Sequence, residues 1–243
     1  MNVLDRRVPD RPAAGNAIPP DAVRAMFDRI APMYDAMNTA MTLGLDARWR
    51  RRAAAAASLV PGMSAIDVAC GSGALTRELA RIVGPAGEVT GFDISGAMLR
   101  QASRHRAAPI RYELADAASL PAVDASVDAA TIAFGLRNVP DYAASLAELV
   151  RVTRPGGRVV VLELAAPAGG VARAISATWF ERVVPFVGRL AGGGGAYRYL
   201  SNSVRAYPPP EAVADLMVAA GLRQVRWRRL WPGLVTLHVG RRS

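Results

Sequence analysis

Apolar and polar positions change rhythm three times along this chain of 243 residues. Over 21–30, Val23, Met26, Phe27 and Ile30 fall at i, i+3, i+4 and i+7, the spacing of one helical face. A second polar–apolar segment covers 34–45. Asp46 is then placed to cap a third helix, which carries Trp49 and runs through the alanines to Leu59 before Pro61-Gly62 stops it. From Ser64 onward short apolar runs alternate with helical patterns: strands are predicted at 64–69, 88–93, 110–115, 127–134 and 158–164, and helices at 72–83, 95–104 and 141–152. Gly84-Pro85-Ala86-Gly87 and Pro155-Gly156-Gly157 punctuate the series. Such alternation predicts an α/β fold, a mostly parallel sheet with helices on both faces. Past Glu163 the pattern changes again. Val171, Ile175, Trp179 and Val183 recur every four residues, which reads as an amphipathic insertion at about 166–207, a candidate lid. A helix at 208–220 and alternating runs at 223–229 and 234–239, turning at Pro232-Gly233, close the chain as an antiparallel hairpin.

Length and hydrophobic content (51%) fit one domain over 21–243, with a helical cap at 21–60. Residues 1–20 hold Arg6, Arg7, Arg11 and four prolines with no apolar segment, and are expected to be a flexible tail rather than a secretory signal. No apolar run is long enough for a membrane span. Cys70 is the single cysteine, which excludes an intramolecular disulfide and a cysteine-based zinc site; no metal is expected, and a cytoplasmic location is the default. The net charge of +10 is carried entirely by arginine and is one-sided. Residues 1–150 hold 16 Arg against 16 acids; residues 151–243 hold 14 Arg against Glu163, Glu181, Glu211 and Asp215. A base composition favouring Arg and Ala codons accounts for the missing lysine and the alanine runs, but not for that asymmetry. A basic C-terminal third suits anionic lipid headgroups or nucleic acid.

Candidate chemistry concentrates at 65–93. The strand Ala65-Ile66-Asp67-Val68 breaks into Cys70-Gly71-Ser72-Gly73 and a helix start, and twenty residues past Gly73 a second strand ends in Asp93. This is the layout of a nucleoside-binding βαβ unit: glycines let the backbone approach the ligand, and the acid takes ribose hydroxyls. The third glycine of the dinucleotide pattern is replaced by Thr76. With Asp67 already in the first strand, that favours S-adenosylmethionine, which has no phosphate, over NAD.

Further segments carry a family resemblance: Phe27, Tyr34-Asp35-Ala36-Met37-Asn38 and Trp49 near the start; Phe134-Gly135-Leu136-Arg137-Asn138-Val139 after the fourth strand; Arg151-Val152-Thr153-Arg154-Pro155-Gly156-Gly157 before the fifth; and Tyr197-Arg198-Tyr199-Leu200 with Ser203-Val204-Arg205. In this order the set resembles the ubiquinone/menaquinone C-methyltransferases over roughly 21–240. The resemblance implies a class I methyltransferase fold with strand order 3-2-1-4-5-7-6, the seventh alone antiparallel, and S-adenosylmethionine as donor. By position it implies that the glycine loop (Asp67, Gly71, Ser72, Gly73), Asp93 with Ile94, Asp116-Ala117 and Ala133 form the cofactor site. Ser72 stands for a family Thr, and Ala133 for a frequent Ser. Thr42, Asp46 and Ala165 depart from the family's usual Ser, His and Ser.

Methylating a ring carbon of a hydroquinone needs in-line geometry, exclusion of water and loss of a phenolic proton. Arg137 is the first candidate, orienting a water or stabilising a phenolate, because arginine is no base at neutral pH. Asn138 is placed to fix the same water. From the cap, Tyr34 and Asp35 reach towards the site, Asp35 as the nearest carboxylate base. Aromatics of the insertion (Trp179, Phe180, Phe186, Tyr197, Tyr199) are candidates to line a tunnel for a prenyl tail. His238, on a strand read as an edge, is expected to be structural. The expected partner is a hydrophobic quinol, demethylmenaquinol first, with peripheral contact to an anionic membrane; a homodimer is compatible with the sequence. The competing readings are a specialised-metabolism methyltransferase for another aromatic acceptor, supported by Asp46, Ala133 and Ala165; an Arg-rich nucleic-acid-binding module, which lacks interleaved aromatics; and an NAD-dependent reductase.

Overall fold

A computed structural model describes residues 15, 18–105, 109–166, 169 and 194–243, the first five residues of the last stretch by backbone alone. Seven strands form one sheet in the order β3-β2-β1-β4-β5-β7-β6. They are β1 (Ser64–Val68), β2 (Glu88–Asp93), β3 (Ile110–Leu114), β4 (Val127–Ala133), β5 (Thr153–Leu164), β6 (Leu222–Leu230) and β7 (Val235–Arg242). β1 to β5 pair in parallel, and β7 is antiparallel to both β5 and β6. Order and direction are those the resemblance implies.

The sheet buries both faces. Ile66, Val68, Ile132, Val159 and Val161 point into one core with Leu146 and Leu149 of α6 (Tyr142–Val152) and Met217 of α8 (Pro210–Ala219). Ala65, Ala129, Val160 and Leu162 point into the other, with Leu75, Leu79 and Val83 of α4 (Ala74–Val83) and Trp49, Ala53 and Ala54 of α3 (Leu45–Ala56). Strand periodicity produces this directly, since successive side chains alternate faces. Part of the alanine run is therefore a packing surface: Ala53, Ala54 and Ala57 are buried and let α3 lie close to α4.

α1 (Pro20–Ile30), a 3₁₀ turn (Ala31–Met33), α2 (Tyr34–Thr42) and α3 make the cap. Leu43 and Gly44 both turn left-handed between α2 and α3, so α3 starts one residue before Asp46. Asp46 then lies inside the first turn, and its side chain is turned to Thr42 and Arg50 rather than capping. α5 (Gly96–Ser103) is capped by Ser95 and α6 by Asp141. α7 (Gly194–Ala206) is the described part of the insertion; the 171–183 stripe with Trp179 and Phe180, Phe186, the Tyr197 side chain and the 1–14 part of the tail lie outside the described residues.

Two features of the sheet differ from the pattern. β5 begins at Thr153, before the Pro-Gly-Gly. Val127 pairs with Thr153 but Ala129 with Arg158, so residues 154–157 bulge between two paired positions. β7 is interior, because β6 pairs outside it. His238 is consequently fully buried; one ring nitrogen, Nε2, lies 2.9 Å from the Pro210 carbonyl, and the ring stacks on Trp227.

Burial pulls the His238 pKa below its ordinary value, with the Pro210 carbonyl opposing. The unfolded chain therefore binds a proton near pH 6.5 that the native chain refuses, and stability falls as pH drops below that value. His238→Gln should flatten this slope: urea unfolding at pH 7.5 and 5.5 should show wild type losing more stability between the two than the variant. Equal losses would mean that His238 accepts a proton in the folded protein.

Candidate active site

The carboxyl ends of β1, β2 and β4 and the loop after β3 frame a cleft. Its lining includes Asp67, Ala69, Gly71, Ser72, Asp93, Ile94, Asp116, Ala117, Ala133 and Asn138. Two non-glycine residues there, Ala69 and Phe134, hold left-handed backbone conformations, at φ 51° and 57°. Conformations of this kind persist only where surroundings over-determine them, and they cluster at ligand sites. Gly73 also turns left-handed, and a Cβ on it would sit 2.2 Å from the Tyr112 hydroxyl, so this loop needs glycine for space as well as for φ.

Each acid at the cleft is held by a different set of donors. Asp93 accepts from the Gly71 N–H at one oxygen and from the Ser95 N–H at the other, both at 2.8 Å. Burial raises its pKa and those two N–H groups pull it back. One accepting position per oxygen remains, the arrangement two vicinal hydroxyls need. Asp67 takes hydroxyl protons from Thr76 (2.6 Å) and Thr131 (2.9 Å); burial pushes its pKa up to about 6. The Thr76 that replaces a third glycine thus supplies a donor to the acid of β1. Asp116 accepts the Ala118 N–H at Oδ1, and its Oδ2 has no hydrogen-bond partner among the described residues.

The cap is fastened over this cleft by two serine–aspartate bonds of 2.5 Å: Ser72 Oγ donates to Asp35, and Ser95 Oγ donates to Asp28. Asp35 lines neither this cleft nor the cavity beside it. Tyr34 does line both, packed edge-on to Phe27.

The neighbouring cavity, about 330 Å³, is walled by Met26, Ile30, Met37, Met41, Leu45, Trp49, Leu164, Leu234 and other apolar residues. Phe27, Tyr34, Arg50 and Phe134 belong to both cavities and form the partition between them. Arg137 reaches the apolar cavity; its Nη1 donates to Glu163 Oε1 at 2.6 Å and to the Phe134 carbonyl at 2.7 Å. Glu163 is 0% exposed and also accepts the backbone N–H groups of Arg137 and Leu164. Burial alone would lower the Arg137 pKa, but the Glu163 carboxylate outweighs it and the guanidinium stays charged. The pair is neutral overall, so Arg137 acts as an aimed donor rather than as a free cation; its Nε has no partner among the described residues. Asn138 lines the cleft, donates to the Phe134 carbonyl, and accepts the Tyr199 hydroxyl at 2.8 Å, which ties α7 to the site.

The structure thus gathers Tyr34, Arg137, Asn138 and the cofactor-loop residues around two adjoining spaces and sets Asp35 just outside them. Sequence reasoning missed Asp28, Arg50 and Phe134, and used Glu163 only as a strand end. Arg50 carries no local signal, since Arg48, Arg51 and Arg52 around it are exposed. Of the departures from the family pattern, Thr42 and Asp46 face the apolar cavity and Ala133 faces the cleft, while Ala165 lines neither.

Comparison with known proteins agrees with this geometry. The profile of the ubiE/COQ5 methyltransferase family matches residues 16–242. The demethylmenaquinone methyltransferase of Thermus thermophilus is 44% identical over 221 residues, 89% of this chain and 100% of that protein. The demethylmenaquinone methyltransferase of Deinococcus radiodurans is 44% identical over 223 residues, 90% and 92% of the two chains. Among solved structures the cyclase SpnF superposes with a TM-score of 0.72 at 18% identity, covering 96% of this chain and 99% of its own, a likeness of fold. The chain belongs to the ubiE/COQ5 methyltransferase family and is an S-adenosylmethionine-dependent methyltransferase.

Proposed function

We propose that the protein methylates a ring carbon of a prenylated hydroquinone, demethylmenaquinol before others, as the names of its relatives suggest. One observation carries this reading: an apolar cavity shares its wall of Phe27, Tyr34, Arg50 and Phe134 with the cleft that suits the cofactor.

The cleft residues fit S-adenosylmethionine. Asp93 keeps two accepting positions for the ribose hydroxyls, and Asp116 Oδ2 is open to an exocyclic amine. Gly71, Ser72 and Gly73 bring backbone close, Asp67 offers a carboxylate, and Ile94, Ala117 and Ala133 give apolar and small surface. When bound, the cofactor supplies a methyl group on a positively charged sulfur. This chain's residues orient the ring against it and keep water away. Arg137, fixed by Glu163, and Asn138, fixed by Tyr199, present directed polar atoms to a ring oxygen or to a water that removes its proton. Tyr34 closes the space between the two cavities. Asp35 serves as the tether of α2 to the glycine loop through Ser72.

Peripheral contact with an anionic bilayer extends this reading. Leu43, 84% exposed, and Trp231, 73% exposed, stand on the rim of the apolar cavity, where a tail would enter. Arg158, Arg226, Arg228 and Arg241 line a groove on the hairpin side of the sheet with no acid among its lining residues. Among the described residues no helix is long and apolar enough to cross a membrane.

Methyl transfer to short-tailed demethylmenaquinol should exceed transfer to demethylubiquinol analogues and to soluble phenols; turnover of a phenol alone would establish a different acceptor. Asp93→Ala should weaken S-adenosylhomocysteine binding by about 1–3 kcal/mol in calorimetry, and wild-type affinity would remove Asp93 from the cofactor site. Arg137→Ala should cut turnover at least tenfold while cofactor affinity stays within about twofold, in line with a residue that acts on the transition state. An unchanged rate removes it from the mechanism. The protein should float with anionic liposomes at low salt and leave them at high salt; no flotation at low salt overturns the membrane contact.

A further inference from the structure

Thr42 at the end of α2 and Asp46 and Arg50 on the first turns of α3 form a polar row along one wall of the mainly apolar cavity. Their bonds leave the middle one short of donors. Thr42 Oγ1 has one proton and two acceptors to share it between, the Asn38 carbonyl at 2.8 Å and Asp46 Oδ1 at 3.0 Å. The Asp46 N–H donates back to Thr42 Oγ1. Arg50 Nη1 donates to Asp46 Oδ2, and its guanidinium lies over the Phe134 ring, 5.3 Å from the centroid. The side chains of Arg50 and Asp46 are 9% and 13% exposed. A carboxylate paired with arginine is acceptor-only and offers about four lone-pair positions. At most two are used here, and the exposed remainder faces the cavity.

We propose that Asp46 selects the oxidation state of the aromatic acceptor. A hydroquinone carries ring hydroxyls and can donate a proton into the Asp46 carboxylate. The corresponding quinone carries only carbonyl oxygens, whose lone pairs meet those of the carboxylate with no hydrogen between them. A site built to bond a hydroxyl rejects the analogue that lacks it, because its own buried polar group is then left unpaired. Arg50 keeps the carboxylate aimed; Phe134 holds Arg50 in place from the partition. The selection has a chemical purpose. Only the reduced, electron-rich ring can attack a methyl group, and an oxidised ring of the same shape would otherwise occupy the site unproductively. A histidine at this position could donate as well as accept and would discriminate less.

This inference rests on the cavity being the acceptor site and is independent of the part played by Arg137. The test is binding of a short-tailed prenyl-1,4-naphthoquinol, kept reduced under nitrogen, against its oxidised quinone. The protein carries S-adenosylhomocysteine, and the readout is the fluorescence of Trp49 and Trp231, which line the cavity. Wild type should bind the quinol at least tenfold more tightly than the quinone. Asp46→Asn, whose amide donates, should bring the ratio within about threefold, chiefly by tighter quinone binding, and Asp46→His should fall between. Asp46→Asn combined with Arg50→Met serves the same purpose if the lone buried arginine disturbs folding. Equal affinities in wild type, or an unchanged ratio in a folded Asp46 variant that still binds S-adenosylhomocysteine, overturn the proposal. Methylation of the quinol without redox preference defeats the Asp46 assignment alone; absence of both binding and methylation defeats the acceptor reading beneath it.

Discussion

A carboxylate taken out of water must be hydrogen-bonded, and the carboxyl edge of this sheet is organised by that constraint. β1, β2 and β5 each bring one there: Asp67, Asp93 and Glu163, at most 8% exposed. Each collects its donors from other segments. Asp67 joins β1 to α4 through Thr76 and to β4 through Thr131. Asp93 joins the tip of β2 to the glycine loop and to the start of α5. Glu163 joins β5 to the turn after β4 through both the backbone and the side chain of Arg137. The loops that must hold a ligand are thereby fixed before it arrives. The cost shows in the upward pKa shifts of Asp67 and Asp93, which desolvation dominates.

The apolar chamber obeys the same constraint differently. Its charges come in pairs, Arg137 with Glu163 and Arg50 with Asp46. Breaking a buried pair leaves one charge uncompensated, at about 3–5 kcal/mol, so neither member is free to act as a bare ion. A neutral chamber with aimed donors and acceptors suits a neutral ring on a hydrocarbon tail. It also changes how Arg137 is understood: its contribution is direction more than charge.

The β1–α4–β2 unit was legible in the sequence because the information is local: a short apolar run, a glycine turn, a helical period and an acid at the next strand tip. What escaped depends on distant partners. The start of β5 was obscured because Pro155-Gly156-Gly157 looks like a break, and only pairing with β4 shows it as a bulge. His238 was placed on an edge because nothing near it in sequence shows β6 folding back outside β7. Arg50 was passed over because arginines at neighbouring positions 48, 51 and 52 are exposed, and the alternation of α3 between solvent and cavity becomes visible only once β4 puts Phe134 beside it. Asp35 has the right composition for a base, but its direction is set by Ser72, a residue 37 positions away.

The partition between the two spaces ties these points together. Phe27 and Tyr34 come from the cap, Arg50 from α3, and Phe134 from the strained end of β4. None of these elements can shift alone. Asp28 and Asp35 bind the cap to Ser95 and Ser72; Gly135 permits the close approach of β4 to Ala69, where a Cβ would lie 2.5 Å from the alanine's own. The two spaces therefore adjoin at a boundary whose position is set by the sheet. That is the requirement of an in-line displacement, in which near-attack distance and alignment supply much of the rate. The cap supplies the complementary requirement. Its largely apolar inner face leaves water little polar surface to wet, and the charges on it come paired.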